Sequence, residues 1–113
     1  MKLIIAGSRN FNNYALVEKT IAEMDIEITE VVCGDARGAD TLGEEWAIAH
    51  SVPVKHFPAD WNSYGKAAGY IRNAEMANYG DYLLAFWDGH SPGTKHMINS
   101  MKRINKHGNV IIV

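Results

Sequence analysis

The stretch Val31–Asp40, VVCGDARGAD, decides the fold of this chain, because an apolar run gives way within a few residues to the start of a helical pattern. Gly34 and Gly38 bracket the turn, and glycine accepts positive φ and leaves room for close approach of backbone and ligand. A turn that leads from a buried strand into a helix presents backbone N–H groups to an anion. The stretch therefore predicts a strand–turn–helix unit that holds a phosphate, with Arg37 as an additional donor.

The same arrangement occurs at two other places in the chain. Gly7–Arg9 follows the apolar run Leu3–Ala6, and Ser91–Lys95 follows the apolar run Leu83–Trp87. Each turn combines small residues with a hydroxyl and a cation. Three turns of this kind can converge on one site.

Composition limits the class of protein. A chain of 113 residues is long enough for one domain, which we expect to span residues 1–113. Its net charge of −2 gives no basic surface for duplex nucleic acid or for an anionic membrane. Cys33 is the single cysteine, so no internal disulfide can form, and a reducing, cytoplasmic setting is expected. No apolar stretch approaches the ~20 residues that span a bilayer, and no signal-peptide pattern is present.

Strand and helix patterns alternate along the whole chain. Five continuous apolar runs predict buried strands, at Lys2–Ala6, Glu30–Cys33, Val54–Phe57, Tyr82–Phe86 and Asn109–Val113. Helical patterns lie between them, at Asn13–Asp25, Ala39–His50, Lys66–Tyr79 and Pro92–Lys106. This order predicts an α/β fold, a single Rossmann-like three-layer domain with a five-stranded parallel sheet of order 3-2-1-4-5 and helices on both faces. Ligands of such sheets bind at the carboxyl ends of the strands.

Several motifs extend along the chain, namely Gly7-Ser8-Arg9-x-Phe11, Gly34-x-Ala36-Arg37-Gly38-Ala39-Asp40, Ala59-Asp60-Trp61, Tyr64-Gly65-Lys66-x-Ala68-Gly69, Arg72-Asn73-x-x-Met76 and Ala85-Phe86-Trp87-Asp88-Gly89 through Gly93-Thr94. With these motifs the chain resembles the YspA-like family, part of the SLOG superfamily of Rossmann-like nucleotide-binding proteins. The resemblance implies a nucleotide or a nucleotide-derived ligand, such as an ADP-ribose-like or NAD-like species, bound by a sensor or sequestering module. It also implies a phage or mobile-element setting, which is common in the family, and a homodimer as one mode of assembly.

Two other function classes follow from the same superfamily. It includes LOG-type phosphoribohydrolases, which cleave nucleoside monophosphates, and DprA, which binds single-stranded DNA. The LOG-type motif ends in a glutamate that takes part in cleavage, and Met97 stands at the matching position here. Hydrolysis is therefore the alternative to binding, with Asp88 or Glu75 as its acid–base group, and single-strand DNA binding is the third hypothesis.

The residues expected to contact the ligand lie on the three turns and in the third helical pattern, and they are Gly7, Ser8, Arg9, Gly34, Ala36, Arg37, Gly38, Asp40, Arg72, Asn73, Asp88, Ser91, Gly93 and Thr94. No cofactor is expected beyond the nucleotide or NAD-derived ligand itself. The histidines are scattered and lack cysteine companions, so no metal site is expected.

Structural alternatives remain open for the charged candidates. Arg37 can pair with a neighbouring aspartate instead of a phosphate, and Asp40 can cap a helix. Arg72 and Asn73 can face the site or can lock their helix to the loop at Asp60-Trp61.

The aromatic residues near that loop also allow two interpretations. Trp61 and Tyr64 can stack on a base or can fill a corner of the core. Tyr70, in the third helical pattern, can pack together with Met76 and Ala77.

Overall fold

The structure is a computed structural model that describes residues 1–34 and 38–113. Its strands are β1 (Lys2–Gly7), β2 (Glu30–Cys33), β3 (Val54–His56), β4 (Tyr82–Trp87) and β5 (Gly108–Ile112). Its α-helices are α1 (Tyr14–Met24), α2 (Ala39–Ala49), α3 (Trp61–Tyr64), α4 (Ala68–Tyr79) and α5 (Pro92–Arg103). The strands form one sheet in the order β3-β2-β1-β4-β5, and every neighbouring pair is parallel. The predicted fold class and strand order are confirmed.

The central strands of the sheet are covered on both faces, whereas β3 and β5, which are also predicted to be buried, are largely exposed because they lie at the two edges of the sheet. Alternate residues of β1 point to opposite sides, so Leu3 and Ile5 pack against the α1 and α2 side, whereas Ile4 and Ala6 pack against the α4 and α5 side. Leu3, Ile4 and Ile5 are fully buried. Burial on both faces is typical of a central parallel strand, and it leaves only the strand ends for polar chemistry.

The segment before α4 differs from the predicted single helix at Lys66–Tyr79. A short helix, α3, comes first, and Asp60 caps it by accepting a hydrogen bond from Ser63 N at 3.1 Å. Gly65 then takes a φ of 56°, which interrupts the helix, and a 3-10 turn over Gly65–Ala67 leads into α4. The sequence pattern did not predict α3, which carries Trp61 to the carboxyl edge of the sheet.

Helix α5 is shorter than the predicted Pro92–Lys106. It ends at Arg103, and Asn105 adopts a left-handed φ of 58° that reverses the chain. Lys106 then folds back and donates hydrogen bonds to carbonyl oxygens at the end of α4. Among the described residues, no helix has the length and apolar character needed to cross a membrane.

Candidate functional site

The turns after β1 and β4 are joined by hydrogen bonds. Ser8, which is buried, donates its backbone N–H to Phe86 O at 2.9 Å. Its Oγ accepts the backbone N–H of Asp88 at 3.0 Å and lies 3.3 Å from the hydroxyl of Ser91. Two of the three predicted turns therefore form one connected unit at the carboxyl edge of the sheet.

The turn after β2 joins this unit through its two glycines. Gly34 donates its N–H to the buried Asp40 carboxylate at 3.1 Å, and its carbonyl accepts a hydrogen bond from Arg72. Gly38 has a φ of 76°, and a Cβ there would lie 2.2 Å from Ser8 O, so no other residue fits without displacement. Arg37 and Ala36, both predicted to bind the ligand, lie outside the described residues together with residue 35.

The Asp88 carboxylate organises the loop that precedes α5. Its Oδ1 accepts the backbone N–H groups of His90 and Ser91, each at 2.8 Å, and its Oδ2 accepts the Ser91 hydroxyl at 3.0 Å. These hydrogen bonds, the backbone N–H of Ser91 first, lower the pKa of Asp88 from 3.8 to about 2. At neutral pH this group is a charged acceptor without a proton to donate, which favours a structural role for Asp88.

Among the described residues, no side chain caps the first turn of helix α5. Ser91 occupies the cap position but makes no capping hydrogen bond, and Pro92 at the first helical position has no N–H. The first intrahelical bond runs from Lys95 N to Ser91 O at 3.2 Å. The amides of Gly93 and Thr94 therefore stand at the positive end of the helix dipole, where anions are stabilised.

Two adjoining cavities open at this edge. The first has a volume of about 470 Å³ and the second about 780 Å³. Predicted residues that line the first cavity are Gly7, Arg9, Asp40, Arg72, Asn73, Asp88, Ser91, Gly93 and Thr94. The wall common to both cavities, called the shared wall below, consists of Arg9, Asn10, Arg72, Asn73, Pro92 and Gly93.

Arg72 and Asn73 hold the shared wall together. The Nε of Arg72 donates to Asn73 Oδ1 at 3.2 Å, and its guanidinium reaches Gly34 O. Asn73, which is buried, donates from Nδ2 to Gly93 O at 3.2 Å and also to Nδ1 of His96 at 3.2 Å. Both residues thus face the site and connect α4 to the end of β2 and to the start of α5.

The other predicted site residues that the structure describes do not line the first cavity. Gly34 lines the second cavity, whereas Ser8 and Gly38 support the turns from behind without lining either cavity. Glu75 is exposed on α4 and lines neither cavity, so the structure does not bring this catalytic candidate to the site. In the described part of the chain, no group of three or more histidine, cysteine, aspartate or glutamate residues has the arrangement of a metal site.

The second cavity contains residues that the sequence did not single out as ligands. Its walls include Tyr70, Lys66 and the indole of Trp61. The spacing of Tyr70 allows it to pack with Met76 and Ala77, but its side chain is 49% exposed, and the inward face of α4 is occupied by Met76 and smaller residues. Tyr64 lines neither cavity.

Comparison with known proteins agrees with the motifs on these loops. The sequence model of the YspA, cpYpsA-related SLOG family matches residues 1–64, which include the turns after β1 and β2. The chain belongs to this SLOG family. A relative from Mycobacterium phage D29, the gene 61 protein, is 34% identical over 112 residues and covers 90% of this chain and 89% of its own. This relative extends the similarity past the family match to the region of α4 and α5, and no solved structure matches the chain.

Proposed function

We propose that this SLOG protein binds a nucleotide or a nucleotide-derived ligand, of the ADP-ribose or NAD type, at the carboxyl edge of its sheet. The observation that carries the proposal is the first turn of α5, where Gly93 and Thr94 line a cavity together with Arg9 and Arg72. Backbone amides at a helix start and guanidinium groups are both suited to phosphate oxygens. The ligand's phosphate lies between them.

Binding without turnover, as in a sensor or a sequestering module, is favoured over hydrolysis. Met97 lines the first cavity and is only 1% exposed, so the position of the LOG-type glutamate is apolar here. Asp88 is held in its charged form by its hydrogen bonds, and a general acid needs a proton to donate. Single-strand DNA binding would require a basic track, which a net charge of −2 does not favour.

Gly93 and Arg9 allow a direct test of the phosphate position. A Cβ at Gly93 would meet no atom within 4 Å, so Gly93→Ala preserves the fold but places a methyl group where the ligand approaches the amides. Arg9 is exposed and lines both cavities, so Arg9→Gln removes a cation at little cost to the core. Lys95→Gln is the matched control, because Lys95 is exposed in the same region and lines neither cavity.

The measurement is equilibrium binding of AMP, ADP, ADP-ribose and NAD, with mass spectrometry of the bound and free fractions. We expect at least one of these compounds to be retained intact, and each site variant to lower its affinity by about 10-fold or more, as for loss of a charged hydrogen bond. Lys95→Gln should leave the affinity unchanged. Equal binding by all four proteins would contradict the proposed phosphate position, and release of a base or of phosphate would establish the hydrolase alternative.

A further inference from the structure

The second cavity has an aromatic wall that phosphate binding does not explain. Trp61 and Tyr70 both line it, and they are 58% and 49% exposed. Single exposed aromatic residues are ordinary on protein surfaces. Two of them on one cavity of about 780 Å³, beside the cation of Lys66, are characteristic of a site for a planar ligand.

The Tyr70 ring is supported from behind, and the Trp61 ring lies beside the same helix. A Cβ at Gly69, in the first turn of α4, would be in ordinary contact with the indole Cη2 of Trp61 at 3.5 Å. Tyr70 stacks on His96 with the ring centroids 4.2 Å apart and an interplanar angle of 17°. The imidazole therefore supports one face of the phenol ring, which lines the cavity and is half exposed. A third ring can extend this stack.

The aromatic wall and the proposed phosphate position are connected by the side-chain amide of Asn73. Asn73 Nδ2 contacts both Gly93 O, at the start of α5, and Nδ1 of His96, beneath Tyr70. Burial, assisted by the positive charge of Arg103, lowers the pKa of His96. The neutral imidazole can accept the amide hydrogen at Nδ1, so the ring under Tyr70 is fixed by the same side chain that fixes Gly93.

We propose that the second cavity is the nucleobase subsite, in which the base stacks on Tyr70 and contacts Trp61 while the phosphate lies at the start of α5. This inference rests on the proposed function and specifies the ligand class as a nucleoside monophosphate or a larger nucleotide, rather than a sugar phosphate. Stacking is tolerant of base identity because every base has a π-face. The subsite should therefore favour ligands that carry a base over ligands that carry none, with little preference among the different bases.

The test compares AMP, CMP and ribose 5-phosphate by titration calorimetry. The wild-type protein should bind AMP at least about 10-fold more tightly than ribose 5-phosphate, and CMP should also bind more tightly than ribose 5-phosphate. Tyr70→Ala and Trp61→Ala should each lower the affinity for AMP by about 5- to 100-fold. Binding of ribose 5-phosphate should stay within about twofold, because neither side chain lies at the phosphate position.

Two control variants separate stacking from general damage. Tyr70→Phe keeps the ring and should keep the AMP affinity. Tyr64→Ala removes a tyrosine that is 53% exposed and belongs to the same helix as Trp61 but lines neither cavity, so it should change nothing. All four substitutions are at exposed side chains and should leave the unfolding temperature close to that of the wild type.

The outcomes distinguish the subsite from the proposed function. Equal wild-type affinity for AMP and ribose 5-phosphate, with both reduced in Arg9→Gln, would overturn the nucleobase subsite and leave the phosphate position standing. Loss of AMP binding in Tyr64→Ala equal to that in Tyr70→Ala would also overturn it. Absence of binding of all three compounds by the wild type would overturn both proposals.

Discussion

The two edges of the sheet differ in how the helix ends that lie there are covered. At the amino edge, the chain uses its own side chains and terminus to satisfy backbone groups. Asp81 accepts the N–H of Lys2 at 2.8 Å, and the amino group of Met1 donates to Glu27 O at 3.0 Å. At the carboxyl edge Asp40 and Asp88 also accept backbone N–H groups, but in the described part of the chain no side chain caps the first turn of α5, where Gly93 and Thr94 line a cavity.

The end of α4 and the start of α5 show this contrast most directly. Lys106 Nζ donates to three carbonyl oxygens at the end of α4, those of Ala77, Asn78 and Gly80, at 2.8, 3.0 and 2.7 Å. This places a cation at the negative end of a helix dipole, which stabilises the fold. At the positive end of α5 the Asp88 carboxylate accepts the N–H of Ser91, just before the helix, but among the described residues no acidic side chain lies in the first turn itself. The contrast is consistent with the proposal that the amides of Gly93 and Thr94 bind a ligand, whereas the contacts of Lys106 serve the stability of the fold.

The largest expected effect tests this contrast with the same substitution at both edges. A Cβ at Gly80 would lie 2.4 Å from Cγ1 of Ile4, which is fully buried, whereas a Cβ at Gly93 would meet no atom within 4 Å. Gly80→Ala should lower the free energy of unfolding by about 1–3 kcal/mol through overpacking. Gly93→Ala should leave it unchanged or raise it by up to about 1 kcal/mol. Urea unfolding of both variants provides the measurement, and equal destabilisation would remove the distinction between the edges.

A smaller effect is expected at the lysine that covers the end of α4. Lys106→Met removes the three hydrogen bonds to carbonyl oxygens and should lower the free energy of unfolding by about 1–2 kcal/mol. Lys102→Met, at an exposed lysine in the last turn of α5, is the control and should change stability by less than about 0.5 kcal/mol. Nucleotide binding should be the same in both variants. A loss of binding in Lys106→Met would show that the amino edge also supports the site.

The smallest effect concerns pH and the loop before α5. Because the pKa of Asp88 falls from 3.8 to about 2 in the folded protein, its charged form stabilises the fold above pH 3.8, and this contribution disappears as the pH falls towards 2. The stability difference between wild type and Asp88→Asn should therefore shrink over that interval. Carbon NMR of the Asp88 carboxyl group should show a midpoint near 2. A midpoint above 4 would show that the hydrogen bonds are not formed and would restore Asp88 as a candidate acid.

The strands and their order could be predicted almost completely, because each strand is marked by a short continuous apolar run in the sequence. The run Glu30–Cys33 is a strand with the predicted bounds, and the other strands agree within one residue at each end. Helix ends were less predictable. The end of α5 depends on the left-handed residue Asn105 and on contacts of Lys106 with α4, and neither follows from helical periodicity.

The lining of the first cavity could be predicted where glycine and hydroxyl turns follow strands, as at Gly7, Arg9, Gly93 and Thr94. The site could not be predicted where residues far apart in sequence meet through helix packing. Tyr70 has the spacing of a core residue, but its partner is His96 of a different helix. The one available signal for α3 was Asp60, a suitable cap placed three residues before Ser63.

The three hydrogen bonds of Asn73 have a thermodynamic consequence. Its amide contacts Arg72, Gly93 and His96, so the walls of both cavities depend on one side chain. Because Asn73 is buried and already hydrogen-bonded in the folded protein, its ordering is a cost of folding, and a ligand that occupies both cavities does not bear that cost again. Two separate fragments lose translational freedom twice, whereas a linked molecule makes its second contact at a high effective concentration. For the proposed ligand, this arrangement would favour one molecule that carries both base and phosphate over two separate fragments.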